Sequence, residues 1–126
     1  MPPTIMIVDD DDQILVLVEI LLRRQGYQVL KAPSASAALD LLKTTIPDLF
    51  VLDYMMPGMN GLELCERLRL HSEISKTPVI MLSAVDNEEF TRLSTEAGAN
   101  GSIPKSEMHR RLLKEVRESL SLAQSR

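Results

Sequence analysis

The sequence is short of cysteine: it contains only Cys65, so no disulfide can form within the chain. A lone thiol fits a reducing compartment, because structural disulfides are a feature of oxidising ones. Also missing is any apolar run near the length of a membrane-spanning helix, about 20 residues. The first residues, MPPT, lack the charged-then-apolar layout of a signal peptide. These absences predict a cytoplasmic protein that does not insert into a membrane.

Basic residues are in the minority as well. The 14 Lys and Arg are outnumbered by 18 Asp and Glu, which leaves a net charge of −4. Dedicated nucleic-acid-binding domains carry an excess of positive charge, so this balance argues against direct binding to nucleic acid. A length of 126 residues is that of one ordinary domain. Because no linker, repeat or low-complexity tract interrupts the chain, we predict a single domain over residues 1–126 with its core at about 4–122.

Five short runs in the sequence have the length of β-strands. They are Ile5–Val8, Gln28–Lys31, Leu49–Leu52, Val79–Leu82 and Gly101–Ile103. The first, third and fourth runs are almost wholly apolar, as expected of parallel strands that are covered on both faces. Stretches with helical spacing separate the runs. This alternation predicts an α/β fold built on a doubly wound parallel sheet.

The first two predicted helices are marked by apolar spacing, caps and glycine. The first helix has an apolar stripe that consists of Ile14, Leu17, Val18 and Leu21. Gly26 is expected to end this helix in the C′ position. The second helix is predicted at Ala35–Leu42, with Ser34 or Ser36 as its N-cap.

Three further helices are predicted in the second half of the chain. The third begins at Gly61, and its stripe consists of Leu64, Cys65 and Leu68. The stretch Asp86–Glu89 is typical of a capping box at the start of a fourth helix, which Gly98 would close. Ser106 is predicted to cap the fifth helix.

Polar side chains follow four of the five predicted strands. They are Asp9 and Asp10 after the first strand, Asp53 after the third, Ser83 after the fourth and Lys105 after the fifth. Taken alone, the run Asp9–Asp12 is explained by a solvated turn with a helix cap, and a lone Ser or Lys by an ordinary surface position. In doubly wound sheets, however, ligands bind outside the carboxyl ends of the strands. Five polar residues at that one edge therefore predict a functional site.

The chemistry of this set suits phosphoryl transfer. Three converging carboxylates call for a hard cation, and Mg²⁺ prefers oxygen ligands in octahedral geometry. A carboxylate can attack phosphorus to give an aspartyl phosphate. The transfer then needs mainly positioning and neutralisation of the phosphoryl oxygens, which Mg²⁺, the Lys105 ammonium and the Ser83 hydroxyl could share.

Four segments of the sequence resemble the receiver domain of bacterial response regulators, the CheY-like superfamily. They are IVDDD, PDLFVLDYMMPGMNGLEL, PVIMLSA and AGANGSIPK, and the resemblance spans nearly the whole chain. It implies a flavodoxin-like sheet with strand order 2-1-3-4-5, flanked by five helices. It also implies a phosphoacceptor in two-component or phosphorelay signalling, with slow autodephosphorylation but no turnover of a substrate as in an enzyme.

The resemblance assigns roles to individual residues. Asp53 would be the phosphoacceptor, and Mg²⁺ would be held by Asp9, Asp10, Asp53 and the backbone carbonyl of Met55. Ser83 and Lys105 match the hydroxyl and lysine positions of the family. The donor would be a phosphohistidine on a sensor histidine kinase or a histidine phosphotransfer protein. The output would be a changed affinity for a downstream effector, an effector domain or a second copy of the chain.

The sequence departs from the family pattern at several positions. Ser102, which would form the switch with Ser83, stands where receivers commonly carry an aromatic residue. Ser106 follows Lys105 where the family often has proline, and the Ile103–Pro104 bond is expected to be trans by default. Met55 and Val85 are apolar at positions that tune phosphoryl lifetime in the family, which predicts a long-lived phosphoaspartate.

Two other functions stay open at this stage. A haloacid-dehalogenase-like phosphohydrolase also uses Asp, Ser or Thr, Lys and Mg²⁺, and Asp9–Asp11 fits its Asp-x-Asp frame. The sequence offers no late acidic pair and no cap domain for it. A receiver-shaped scaffold that binds partners without phosphorylation would be consistent with Ser102, but not with the complete set of polar residues. Within the carboxylate run, Asp9 and Asp10 are predicted to face the cation, and Asp11 and Asp12 to begin the following helix.

Overall fold

Five parallel strands form one sheet in the order β2-β1-β3-β4-β5, which confirms the predicted fold. The computed structural model describes residues 2–124, so residues 1, 125 and 126 of the predicted domain lie outside the described part. The strands are β1 (Thr4–Val8), β2 (Gln28–Ala32), β3 (Leu49–Asp53), β4 (Val79–Ser83) and β5 (Gly101–Pro104). Register pairs Val8 with Leu52, Asp53 with Leu82 and Ser83 with Pro104. The carboxyl ends of four strands therefore meet at one edge.

Five α-helices cover the two faces of the sheet. They are α1 (Asp12–Arg24), α2 (Ala35–Leu41), α3 (Gly61–Arg69), α4 (Glu88–Glu96) and α5 (Met108–Gln124), with a 3₁₀ turn at Lys105–Glu107 before α5. Alternate strand residues face opposite ways: Ile5 and Ile7 pack with α1 and α5, whereas Met6 and Val8 pack with α2, α3 and α4. Because both faces are covered, the central strands are apolar at nearly every position.

Caps define most of the helix ends. The Asp11 carboxylate accepts from the Gln13 N–H at 2.9 Å and caps α1, with Asp12 in the first turn, as predicted. Gly26 follows the helix with a φ of 91°, a conformation that favours glycine. Of the two serines proposed for α2, Ser34 is the N-cap and accepts from the Ala37 N–H at 3.0 Å.

The predicted stripe of α1 is partly correct: Val18 is buried and Ile14 packs against the core, whereas Leu17 does not face it. The buried residues of this helix are Leu15, Val18 and Leu22, so only Val18 is common to both sets. Leu17 is 42% exposed, and Ile14 and Leu21 are only partly buried. The helix is apolar around most of its circumference, so several stripes of equal quality exist in the sequence and periodicity cannot choose among them.

Two predicted caps are also wrong. The N-cap of α4 is Asn87, which accepts from the Phe90 N–H at 2.8 Å. Its third helical residue is therefore Phe90, which has no carboxylate to complete a capping box. Ser106 lies inside the 3₁₀ turn, where no side chain caps the helix. Its backbone is already helical there, and an N-cap needs extended backbone.

One peptide bond and the character of the helices also bear on predictions made from the sequence. The Ile103–Pro104 bond is trans. Between residues 2 and 124, no helix has both the length and the apolar character needed to cross a bilayer.

Candidate functional site

The edge formed by the carboxyl ends of the strands holds the five polar residues from which the sequence predicts a functional site. Asp9 directly follows β1, Asp53 ends β3, Ser83 ends β4 and Lys105 follows β5. Asp9, Asp53 and Ser83 are buried, with exposed fractions of 0%, 2% and 0%. Asp10 is exposed and lies on the solvent side of the group. The sheet register thus brings together side chains that are far apart along the chain.

Three carboxylates converge at this edge. Asp9, Asp10 and Asp53 each offer an oxygen, and these oxygens all lie within 4.8 Å of one another. Two unit charges about 5 Å apart at an effective dielectric constant near 20 repel by roughly 3 kcal/mol. The repulsion is relieved by positive charge nearby or by protonation of one of the carboxylates.

Lys105 supplies part of that positive charge. Its ammonium nitrogen lies 3.0 Å from Oδ2 of Asp9 and 3.3 Å from Oδ1 of Asp53. Burial alone would lower the pKa of Lys105, but contact with Asp9 and the charge of Asp53 raise it above the usual value. The lysine is therefore held in its charged form between two carboxylates.

The surroundings of Asp53 make its carboxyl group harder to ionise. Burial, followed by the negative charge of Asp9, raises the pKa of Asp53 to about 7, although Lys105 acts to lower it. One lysine therefore does not fully compensate the carboxylates. Additional positive charge at this point would favour the ionised form of Asp53, which is the nucleophilic one.

Asp9 has one oxygen satisfied and one not. Its Oδ1 accepts from the Asp11 N–H at 2.9 Å. Its Oδ2 is buried and, despite the nearby ammonium, receives no hydrogen bond of good geometry. This oxygen therefore has an ion pair but no hydrogen bond, and a hard divalent cation would complete its coordination. The all-oxygen donor set of Asp9, Asp10 and Asp53 fits such an ion.

Ser83 presents a hydroxyl donor at the end of β4. Its Oγ accepts from the Val85 N–H at 3.0 Å. Because the oxygen serves as acceptor in that contact, the O–H remains able to donate to a ligand. The hydrogen bond also fixes the first turn of the loop that follows β4.

The loop after Asp53 approaches α3 too closely for any side chain at Gly61. A Cβ atom on Gly61 would lie 2.2 Å from the carbonyl oxygen of Asp53. The Gly61 N–H donates to the Tyr54 carbonyl at 2.9 Å, and Asn60 with Glu63 forms a capping box at the start of α3. The sequence located Gly61 as the start of a helix, but the close approach that requires glycine was missed.

Met55 and Val85, which we call the apolar rim, lie in the loops that follow β3 and β4. They follow Asp53 and Ser83 by two residues each and are 60% and 46% exposed. Both line a cavity of about 230 Å³ whose wall includes Tyr54 and Phe90. The rings of Tyr54 and Phe90 are stacked, with centroids 5.8 Å apart. Asn87 and Glu89 also line this cavity, so its walls are polar as well as apolar.

The backbone carbonyl of Ser102 is hydrogen-bonded to Arg111 of α5, a residue that the sequence did not point to. The Arg111 guanidinium donates to the Ser102 carbonyl at 3.2 Å and forms ion pairs with Glu107 and Glu115 on its own helix. A spacing of four residues to each glutamate allows those ion pairs on one helix. The contact with β5 could not be predicted, because its acceptor is a backbone carbonyl.

Comparison with protein families gives a match over most of the chain. The family model for the response regulator receiver domain matches residues 5–117. The transcriptional regulatory protein AfsQ1 of Streptomyces coelicolor is 37% identical over 103 residues, which are 82% of this chain and 44% of AfsQ1. The chain thus spans less than half the length of that relative.

Solved structures give similar matches. A response regulator candidate from Chloroflexus aurantiacus has a TM-score of 0.91 and 35% identity, covering 96% of this chain and 99% of its own. Chemotaxis protein CheY4 of Vibrio cholerae has a TM-score of 0.89 and 28% identity, with 94% and 99% covered. The signal receiver domain of a histidine kinase from Syntrophus aciditrophicus has a TM-score of 0.86 and 30% identity, with 94% and 90% covered.

Proposed function

The chain belongs to the response regulator receiver domain family, and we propose that Asp53 is its phosphoacceptor. Receiver domains act as phosphoacceptors in two-component signalling. Asp53 is the one carboxylate of the cluster that ends a central strand and also contacts the ammonium of Lys105, 3.3 Å away. The contact of Lys105 with both Asp53 and Asp9 is the observation that carries this proposal.

Phosphoryl transfer would involve few groups. An oxygen of Asp53 attacks phosphorus, the P–N bond to the donor imidazole breaks, and its electron pair remains on the imidazole nitrogen. Lys105 neutralises an oxygen of the transferred group, because it already lies within reach of Oδ1 of Asp53. The Ser83 hydroxyl donates a hydrogen bond to another oxygen of the transferred phosphoryl group. These two groups act by charge and position, so they are the catalytic partners of Asp53.

A magnesium ion would complete the site. Asp9, Asp10, Asp53 and the Met55 carbonyl would hold it, and when bound it supplies positive charge to the phosphoryl oxygens. Support comes from the unsatisfied Oδ2 of Asp9 and the raised pKa of Asp53, both of which call for positive charge.

The partners follow from the family. The phosphoryl donor would be a sensor histidine kinase or a histidine phosphotransfer protein, and the output a downstream effector, an effector domain or a second copy of the chain. We place the protein in the cytoplasm, where such kinases present their phosphohistidine. No direct binding to nucleic acid and no turnover of a phosphomonoester is expected of these residues. Either a stand-alone receiver or part of a longer regulator fits this function.

Ser83 and Ser102 form the proposed switch. Turning the Ser83 hydroxyl towards a phosphoryl group would weaken its hydrogen bond with the Val85 N–H and release the loop after β4. Ser102 pairs in register with Met81 on the neighbouring strand. Because a serine lacks the bulk of an aromatic ring, the response would pass through loop rearrangement, as a population shift between two states.

Uptake of one phosphoryl group tests the proposal. The protein is treated with a small phosphodonor and Mg²⁺, and its intact mass and hydrodynamic size are measured beside Asp53→Asn. We expect one phosphoryl group on the unmodified protein and none on the variant. Equal uptake by both proteins, or repeated turnover of a phosphomonoester that needs Asp9, would overturn it. A change in size on phosphorylation would identify dimerisation as the output.

A further inference from the structure

Seven methionines occur in the chain, and among those in the described residues Met55 stands apart by its exposure. Met55 is 60% exposed. Four others are at most 8% exposed: Met6, Met56, Met81 and Met108. Met59 is partly buried against the core. We propose that Met55 is a site of oxidation to the sulfoxide by hydrogen peroxide, and that its oxidation shortens the life of the phosphoryl group on Asp53. The second half rests on the function proposed above.

The oxidation step needs only a peroxide. A sulfur lone pair of Met55 attacks one peroxide oxygen, the O–O bond breaks and an S–O bond forms. The proton on the transferred oxygen passes to the departing one, which leaves as water. Sulfur is oxidised by two electrons and the peroxide is reduced by two. Exposure decides which methionine reacts, because a thioether inside the core is out of reach of the oxidant.

The position of Met55 connects this chemistry to the site. Met55 follows Asp53 by two residues in the same loop, and it lines the 230 Å³ cavity together with Val85, Tyr54 and Phe90. The rings of Tyr54 and Phe90 are stacked along that cavity, whose lining also includes Asn87 and Glu89. A thioether is a weak hydrogen-bond acceptor, so in its reduced form Met55 offers water no strong partner there.

Oxidation would reverse that property. A sulfoxide oxygen is a strong acceptor, and the product is polar where the thioether was apolar. A water molecule held by this oxygen would lie within the loop that carries the aspartyl phosphate, positioned for attack on phosphorus. We expect decay of the phosphoryl group to become about fivefold faster, the rate equivalent of one ordinary hydrogen bond to the attacking water.

The order of oxidation is the first measurement. The folded protein is titrated with hydrogen peroxide, and sulfoxide at each methionine is quantified by peptide mass spectrometry, with circular dichroism to confirm that it stays folded. Met55 should react before Met59 and well before the buried methionines. Equal or faster reaction of Met59 would overturn the assignment, and this readout does not depend on phosphorylation.

The second measurement follows decay of the phosphoryl group by intact mass before and after peroxide. Each protein is compared with itself, so a change in basal lifetime does not matter. The unmodified protein and Met59→Leu should both show the faster decay, and Met55→Leu should show none. Peroxide sensitivity that persists in Met55→Leu, or an unchanged lifetime when Met55 is oxidised, would overturn the regulatory role. If the untreated protein takes up no phosphoryl group at all, the proposed function fails, and the regulatory role fails with it.

Discussion

The polar groups at the two ends of the sheet differ in how completely they are paired within the protein. Where the strands begin, the groups are paired within the protein. The Arg69 guanidinium donates to the carbonyls of Gly98, Thr77 and Ser75 at distances between 2.6 and 3.3 Å. Asn100 accepts from Arg69 at 3.0 Å and from the Val79 N–H at 2.9 Å. Hydrogen bonds of this kind stabilise the fold and leave little for a ligand to satisfy.

Where the strands end, the groups are crowded and incompletely paired. Three carboxylates converge there, one ammonium contacts two of them, and Oδ2 of Asp9 has this ion pair but no hydrogen bond. Such a site reduces stability in the absence of a ligand, because buried charge without compensation is costly. The comparison teaches that one sheet places its stabilising interactions at one end and its binding capacity at the other. The predictions below test that division.

Removing one carboxylate should have the largest effect on function. Asp10→Ala is expected to abolish Mg²⁺-dependent phosphoryl uptake, since it removes an exposed oxygen ligand from the cluster. Asp12→Ala is the matched control, because Asp12 belongs to the same acidic run but lies in the first turn of α1. It should lower the free energy of unfolding by about 0.3–1 kcal/mol and leave uptake intact. Uptake is measured by intact mass, and loss of uptake in both variants would contradict the division of the run.

Raising the pH should destabilise the carboxyl end specifically. The pKa of Asp53 is raised from 3.8 to about 7 in the folded state. Because this pKa is raised, the folded state holds the Asp53 proton more tightly than the unfolded state does. The proton's contribution to the free energy of unfolding is therefore complete below about pH 4 and is lost as the pH rises through 7. In Mg²⁺-free buffer, the loss relative to Asp53→Asn is at most about 4 kcal/mol. Denaturant unfolding of both proteins from pH 4 to 8 measures it. If the difference in free energy of unfolding between the two proteins does not change with pH, the predicted loss of stability at higher pH is wrong.

Disrupting the opposite end should affect stability alone. Arg69→Ala leaves several carbonyls without donors and should lower the free energy of unfolding by about 2–3 kcal/mol. Arg67→Ala, an exposed position on the same helix, is the control and should change stability by no more than about 0.5 kcal/mol. Phosphoryl uptake by the folded fraction should be normal in both variants. If Arg69→Ala reduced uptake per folded molecule, the two ends would not be separable.

The sequence predicts the carboxyl end far better than the opposite end, for a physical reason. Asp9, Asp53 and Lys105 are side chains of distinctive chemistry at strand ends, and parallel strands bring such ends together. Arg69 acts on backbone carbonyls, which every residue has, so nothing in the sequence identifies its partners. The capping box predicted at Asp86–Glu89 was displaced by one residue from the observed N-cap, Asn87, because backbone angles decide which residue caps a helix. Packing choices of this kind are settled only in three dimensions.

The smallest expected effect concerns Met55 of the apolar rim. Met55→Asn places an amide where the thioether now borders the site, and an amide can hold a water molecule near phosphorus. We expect dephosphorylation about fivefold faster, the equivalent of one hydrogen bond of about 1 kcal/mol. Decay of the phosphorylated protein by intact mass gives the rate, with Met59→Asn as control on the same loop. An unchanged or slower rate in Met55→Asn would mean that the lifetime is set by the buried charges alone, and the apolar rim would then have no part in the chemistry.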